Sequence, residues 1–298
     1  MQITKSFFIY IFAICLFFSS LQSYSQNKIP FNCKTDIALA KWLVGSGQYG
    51  LMLDLSARYQ TNTCCSATVD SLHFYTGWAA YNLKKLDFST QELLLVSANS
   101  PFYRQSQFFS GYNYLYNKQL DSAKCIFNNL YKSNDSLIKS LVEFEYAGMY
   151  LLKRDTFQYS CWRSKLDDAN YYYHSDLVEF DNVFYRYSKF NQKSVWLAGL
   201  MSAIVPGSGK IYAGRLGEGL SALATNGILA AIVLENYSKN GLNDYKTIIY
   251  GSLFSIFYIG NIYGSMVSVK VYRNEFYQMH ENAVLLHLQL PLRNFFNQ

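Results

Sequence analysis

From residue 36 to residue 166, apolar side chains recur with the three-to-four-residue period of amphipathic helices, and the pattern itself repeats. Ala40, Gly77, Gly111 and Gly148 align at intervals of 37, 34 and 37 residues. Nine residues after each stands a large apolar side chain: Tyr49, Leu86, Leu120 and Phe157. This register predicts four helical hairpins. Each has a small residue where its first helix must approach its second closely, and an apolar residue opening the second helix after a tight turn. The turns fall at 45–48, 83–85, 117–119 and 153–156.

Beyond residue 190 the pattern changes. Segments 195–212, 216–234 and 247–269 are apolar nearly throughout, and the second and third approach the roughly 20 residues that cross a bilayer as helix. The first is interrupted by Pro206-Gly207-Ser208-Gly209. It reads as a kinked span, a re-entrant segment or an interfacial helix, because broken backbone at membrane depth must be buried in protein or satisfied by polar groups. With three spans and the hairpins outside, Lys210 and Arg215 fall inside, 235–246 outside, and Lys270 and Arg273 inside. The positive-inside tendency favours that arrangement over two spans.

Small residues add a packing signal. Gly199, Ala203 and Gly207 recur every four residues, and Gly260 with Gly264 forms GxxxG; such spacing lets membrane helices approach, within the chain or between copies of a homo-oligomer. Asn226 and Asn261 are amides inside apolar runs. Either they bond to each other across helices, or both face loops or headgroups. Between hairpins and membrane, Ser175 or Asp176 is placed to cap a helix with Glu179 in its first turn. Phe184, Tyr185, Tyr187, Phe190 and Trp196 then form either an interfacial aromatic belt or the apolar face of a closing helix. Near the end, Leu286, Leu288, Leu290 and Leu292 alternate, predicting a short strand or an amphipathic tail, with Pro291 against a central strand.

Charge and leader fix the expected location. Lys5, an apolar run over 7–18 and the small residues Ser23 and Ser25 have the pattern of a signal peptide over 1–25, a retained anchor being the alternative. Residues 26–184 carry 15 basic and 15 acidic side chains, whereas 185–298 carry 10 and 5. A neutral module lacks the basic stripe that nucleic acid requires, so that partner class is excluded. Cys33, Cys64, Cys65, Cys125 and Cys161 follow the leader; an oxidising compartment permits a bridge from Cys33 to Cys64 or Cys65.

Candidate chemistry is sparse. Gly207-Ser208-Gly209-Lys210 is not a phosphate loop, since Ile204 stands where the first Gly belongs and Ile211 where Ser or Thr belongs. His73, His174, His280 and His287 lack metal spacing, and Asp167-Asp168 and Glu143/Glu145 read as solvated charges. No nucleophile elbow or HExxH occurs, so neither catalytic residue, metal nor cofactor is expected.

The hairpin register resembles the tetratricopeptide repeat, best in GWAAYNLKKLDFSTQELLLVSANSP, which ends in Pro101, and in GYNYLYNKQLDSAKCIFNNL, with Ala123 and Phe127 where the second helix packs. The first and fourth units depart from it at Met52 and Ser160, as terminal repeats do. The resemblance implies an all-α solenoid over about 36–166. Its concave face would carry Phe74, Trp78, Tyr81, Asn82, Phe108, Tyr112, Tyr116, Glu145, Met149 and Lys153, either as a partner-binding groove or as core between helices. PGSGKIYAGRLGEG, with GNIYGSMVSVKVYRNEF after it, resembles the PGxGxxYxG signature of small bacterial integral-membrane domains over about 195–280. In it, Pro206, Gly207, Gly209, Tyr212 and Gly214 carry the motif, and Lys210 stands where Gln is common.

The expectation is therefore all-α: a leader over 1–25, a secreted helical-repeat module over 26–190, a membrane domain of two or three spans over 191–275 and a polar tail over 276–298. Functionally it is a bacterial-envelope scaffold at the inner membrane, with a periplasmic module binding a protein partner. The alternative is a membrane domain that handles a lipid or small solute at residues 206–214, Asn226 and Asn261. An enzyme is not expected.

Overall fold

A computed structural model of the chain describes residues 33–58 and 66–296. The expected leader lies outside the described residues, as do Cys64 and Cys65. Cys33 is disulfide-bonded, while Cys125 and Cys161 are free and exposed. Every regular element among the described residues is a helix, and the chain divides into two compact units that meet between Ser100 and Pro101.

The first unit holds two hairpins, α1 (Cys33–Gly45) with α2 (Tyr49–Ser56) and α3 (Ser66–Asn82) with α4 (Leu86–Leu94). Ala40, Leu43, Met52, Leu55, Leu72 and Ala79 form its core. A Cβ on Gly77 would lie 2.6 Å from Leu93 of α4, so the small residue does set the close approach within the hairpin.

The second unit begins with two more hairpins, α5 (Tyr103–Tyr116) with α6 (Leu120–Tyr131) and α7 (Ser136–Leu152) with α8 (Thr156–Arg163). Gly111 repeats the Gly77 arrangement, with Phe127 of α6 only 2.5 Å from its would-be Cβ. Asp135 and Asp155 cap α7 and α8 by accepting from backbone amides. All four hairpin turns close alike: Gln48, Lys85, Gln119 and Asp155 each donate a backbone amide to the carbonyl five residues back. That is the six-to-one bond of a Schellman turn. It needs a left-handed residue just before the donor, supplied by Gly47, Lys84, Lys118 and Arg154. For the three basic residues that conformation costs roughly 1–2 kcal/mol.

Five further helices complete the second unit: α9 (His174–Lys189), α10 (Val195–Ile204), α11 (Ser208–Tyr212), α12 (Leu216–Asn240) and α13 (Tyr245–Phe296). α9 starts at His174, so neither Ser175 nor Asp176 caps it. Asp176 instead turns inward and accepts from His287 Nδ1 at 2.7 Å.

α13 organises this unit. Its 52 residues extend about 78 Å at 1.5 Å per residue, more than twice a hydrocarbon core of roughly 30 Å. The expected C-terminal strand is absent; the helix runs on through Pro291 and packs against α5, α7 and α9. The alternating leucines misled because half of them also obey a four-residue period. Val284, Leu288 and Leu292 are fully buried, whereas Leu286 and Leu290 are exposed. Leu288 fills the notch at Gly148, 2.4 Å from where a Cβ would stand, and Phe296 packs on Phe108 and Phe109. Glu281 accepts from Lys118 Nζ at 3.0 Å and Arg154 at 2.7 Å, and the Arg154 guanidinium lies 3.6 Å over the Tyr277 ring. Two of the strained turn residues thus hold the returning helix.

Two helices, α12 and α13, are long and apolar enough to cross a membrane. The segment 195–212 is not a third, because it is broken into helices of ten and five residues. Three crossings would put residues 276–296 and the hairpins on opposite sides of a bilayer. Residues 276–296 instead pack against α5, α7 and α9.

Full burial of an aliphatic side chain contributes roughly 1.5–3 kcal/mol, whereas ion pairs with exposed partners contribute about 1 kcal/mol or less. Lys118 and Arg154 are largely exposed, so packing carries the attachment of α13. Leu288→Ala is expected to cost about 2–5 kcal/mol and Glu281→Gln less than about 1 kcal/mol, read as shifts of the unfolding midpoint. Burial pushes the Glu281 carboxyl up, but the hydrogen bonds from Arg154 and Lys118 outweigh it and hold the group below the usual range. The Glu281 contribution is therefore full above the ordinary carboxylate value and fades as pH falls through the depressed one; Glu281→Gln removes that dependence.

Glu145 behaves oppositely. It is fully buried with no hydrogen-bond partner, and desolvation raises its carboxyl well above the usual range. The folded chain keeps it protonated while the unfolded chain ionises, so its effect on stability worsens as pH rises from the ordinary value towards the raised one. Glu145→Gln should flatten the thermal-midpoint curve between mildly acidic and neutral pH. An unchanged slope would contradict the buried, neutral state.

Candidate functional site

The motif at 206–214 builds a backbone crossing that tolerates no side chains. Val205 leaves α10 extended, Pro206 follows without an amide hydrogen, and Gly207 takes a φ of +87°. A Cβ on Gly207 would stand 2.0 Å from the Gly219 carbonyl oxygen, and one on Gly209 would stand 2.0 Å from that of Ala198. The backbones of α10, α11 and α12 therefore touch directly. The broken chain is satisfied from within. Gly209 N donates to Ser202 Oγ at 2.9 Å, Ser202 bonds Ser265 of α13 at 2.7 Å, and the Tyr258 hydroxyl donates to the Ala203 carbonyl. The Tyr212 hydroxyl accepts from Ser194 N at 3.1 Å, and Gly214, with φ of +92°, ends α11. The five motif residues are thus architectural.

That crossing delivers Lys210 to a cavity of about 350 Å³ between α12 and α13. Ser221, Thr225 and Asn226 line it from α12, and Phe257, Gly260 and Asn261 from α13. Asn226 and Asn261 are both buried. Asn226 Nδ2 donates to Ala222 O at 2.8 Å, while its Oδ1 and both polar atoms of Asn261 have no hydrogen-bond partner. The expected bond between the two amides is not formed; they face one cavity instead. A buried polar atom without a partner costs about 1–3 kcal/mol.

Lys210 supplies the charge. Arg215 is neutralised by Glu218 and Glu275, whereas among the described residues no carboxylate pairs with Lys210. The Lys210 stem crosses α13 at Gly264, where a Cβ would lie 3.6 Å from its Cε, and Gly260 leaves open space above its backbone. Gly260 therefore lines the cavity and Gly264 makes room for the Lys210 stem, rather than the two forming a helix contact. Gly199 does serve packing, meeting Met266 of α13 at 3.0 Å.

The residues expected to line a partner groove lie elsewhere. Phe74, Trp78 and Tyr81 are buried and stack along α3, and Asn82 donates to the Trp78 carbonyl. Phe108, Tyr112 and Met149 are buried in the second unit, Phe108 beneath Phe296. Tyr116 is exposed. The C-terminal helix occupies the faces of α5 and α7 that were expected to be open. Of the interfacial aromatics, Phe190 and Tyr187 pack on Phe276 and His280 of α13, while Tyr185 and Trp196 are exposed.

A curated relative, the uncharacterized protein MJ1516 of Methanocaldococcus jannaschii, is 35% identical over 70 residues, covering 23% of this chain and 71% of that protein. The chain belongs to the family of MJ1516. No family model and no solved structure matches it. More than three quarters of this chain lies outside the stretch it shares with MJ1516.

Sequence reasoning missed Ser221, Thr225 and Phe257. Ser221 and Thr225 lie four apart, five residues and one residue ahead of Asn226, a polar stripe on an otherwise apolar helix. Neighbouring glycines should separate in experiment. Gly209→Ala must displace the Ala198 backbone and is expected to abolish recovery of folded, detergent-soluble protein. Gly260→Ala meets nothing and should leave yield and thermal midpoint unchanged.

Proposed function

We propose that this is a membrane-anchored envelope protein whose membrane domain takes a small lipid or solute into the cavity between α12 and α13. The observation that carries the reading is the set of three partnerless amide atoms on Asn226 and Asn261, buried at one cavity beside an unpaired lysine. Within a bilayer water does not replace missing partners, and polar groups at that depth mark sites of function. The apolar exterior supports embedding, since Leu220, Leu223, Ile228 and Ile259 are exposed along the two helices. In this reading the helical hairpins form a tetratricopeptide-like solenoid on the periplasmic side of the inner membrane. Its third and fourth hairpins are fixed to the membrane pair by the returning half of α13. Lys193, Lys210, Arg215, Lys270 and Arg273 then lie on the exported side. Long translocated domains follow their leader largely regardless of charge.

A second reading, the scaffold with a protein partner, draws on the first hairpin, where Trp42, Leu39 and Leu51 are exposed. A photoreactive residue at Trp42 that captured a discrete protein in intact cells would support it.

The cavity reading is tested by native mass spectrometry of the full chain, extracted in mild detergent, beside Asn226→Leu/Asn261→Leu. Wild type should carry a small molecule that the double variant loses, while the variant gains thermal stability because orphaned atoms are removed, on the order of 1–3 kcal/mol each. A wild type with an empty cavity, or a variant that keeps the molecule, would overturn the assignment.

A further inference from the structure

Resting on the cavity reading, we infer that the ligand is an anionic lipid whose phosphate headgroup, bearing a hydroxyl, enters the cavity sideways from the bilayer. The hydrogen-bonding inventory specifies this chemistry. Lys210 brings an ammonium without a carboxylate partner, and Asn261 Nδ2 adds an unused donor. A cation beside a partly buried site is stabilised by an anion that compensates it. Among the described residues no carboxylate lines the cavity. Asn226 Oδ1 and Asn261 Oδ1 are acceptors without donors. A bare carboxylate or phosphate diester cannot satisfy them, whereas a headgroup hydroxyl can.

The walls give the direction of entry. Ile256 and Phe257 line the same cavity and remain exposed on the apolar outer face of α13, at 67% and 45%. The opening thus lies where acyl chains run, not in an aqueous channel. An amphiphile fits with its phosphate on Lys210 and Asn261, its hydroxyl towards Asn226, and its chains leaving past Ile256 and Phe257. The volume of about 350 Å³ lies at the lower end of the range for ligand pockets, suited to a headgroup rather than a whole lipid. Gly260 lines the cavity without adding a side chain to it.

The test uses the full chain in nanodiscs of phosphatidylcholine alone, of phosphatidylcholine mixed with phosphatidylglycerol or phosphatidic acid, and of phosphatidylcholine with inorganic phosphate added. Retained lipid is counted by mass spectrometry and stability by thermal midpoint. Wild type should retain phosphatidylglycerol over phosphatidylcholine by about tenfold, equivalent to roughly 1.4 kcal/mol, and over phosphatidic acid by a smaller factor. Lys210→Gln should bring the first ratio close to one and Lys210→Arg should restore it. Gly260→Leu, which adds a side chain to the cavity lining, should expel the lipid while leaving the fold intact. Stabilisation by inorganic phosphate without retention of phosphatidylglycerol would overturn the lipid assignment in favour of a free anion. Equal retention of phosphatidylcholine, still lost in Gly260→Leu, would overturn this inference and leave the cavity reading standing. Lipid retention indifferent to Gly260→Leu would overturn both.

Discussion

The contact on which the second unit depends is the seating of Leu288 against Gly148. A side chain at either end of the size scale would break it: a Cβ on Gly148 collides with Leu288, and a smaller residue at 288 leaves the notch empty. Packing at Val284, Leu288 and Leu292 supplies the energy, and the two-cation bridge to Glu281 fixes the register. Because α13 is one continuous helix, whatever its apolar half does between α10 and α12 is joined by rigid backbone to the third and fourth hairpins. Two chain segments more than a hundred residues apart thereby become one body, which is why the compact unit starts at Pro101 and not at α10.

The second constraint is the crossing of three backbones at Gly207, Gly209 and Gly219. It resolves the problem of a broken helix in an apolar setting by supplying hydroxyls from Ser202, Ser265 and Tyr258, and it leaves α11 too short to fill the space between α12 and α13. Lys210 of α11 lines the cavity beside residues of α12 and α13. The cavity's polar lining is not required by the crossing, since the side-chain amides of Asn226 and Asn261 make no bond to it. That separation is the physical reason to assign the amides to a ligand and the glycines to architecture.

Helix periodicity made the all-helical class, the hairpin boundaries and the apolar pair legible, and the small residues at Gly77 and Gly111 meant what spacing said they meant. The left-handed positions at Lys84, Lys118 and Arg154 were hidden, because tertiary packing overrides the usual demand for glycine there. The return of α13 was hidden for a different reason. Leucines at 286, 288, 290 and 292 satisfy a strand period and a helix period at once, and local pattern cannot choose between them. Once that helix was missed, aromatic residues such as Phe108 looked available to a partner. Asn226 and Asn261 stood out as polar residues in apolar runs, but whether they bond each other or a ligand depends on a separation that no sequence spacing encodes.

The proposed function requires that α12 and α13 both cross a membrane, with the C-terminal part of α13 returning to the third and fourth hairpins. A membrane-impermeant maleimide applied to sealed vesicles tests it most directly, comparing native Cys125 with Asn243→Cys in the short link between α12 and α13 and Asn294→Cys near the end of α13. The account predicts that Cys125 and position 294 react from one side and position 243 only from the other. Position 294 reacting together with 243, or all three from a single side, would contradict it.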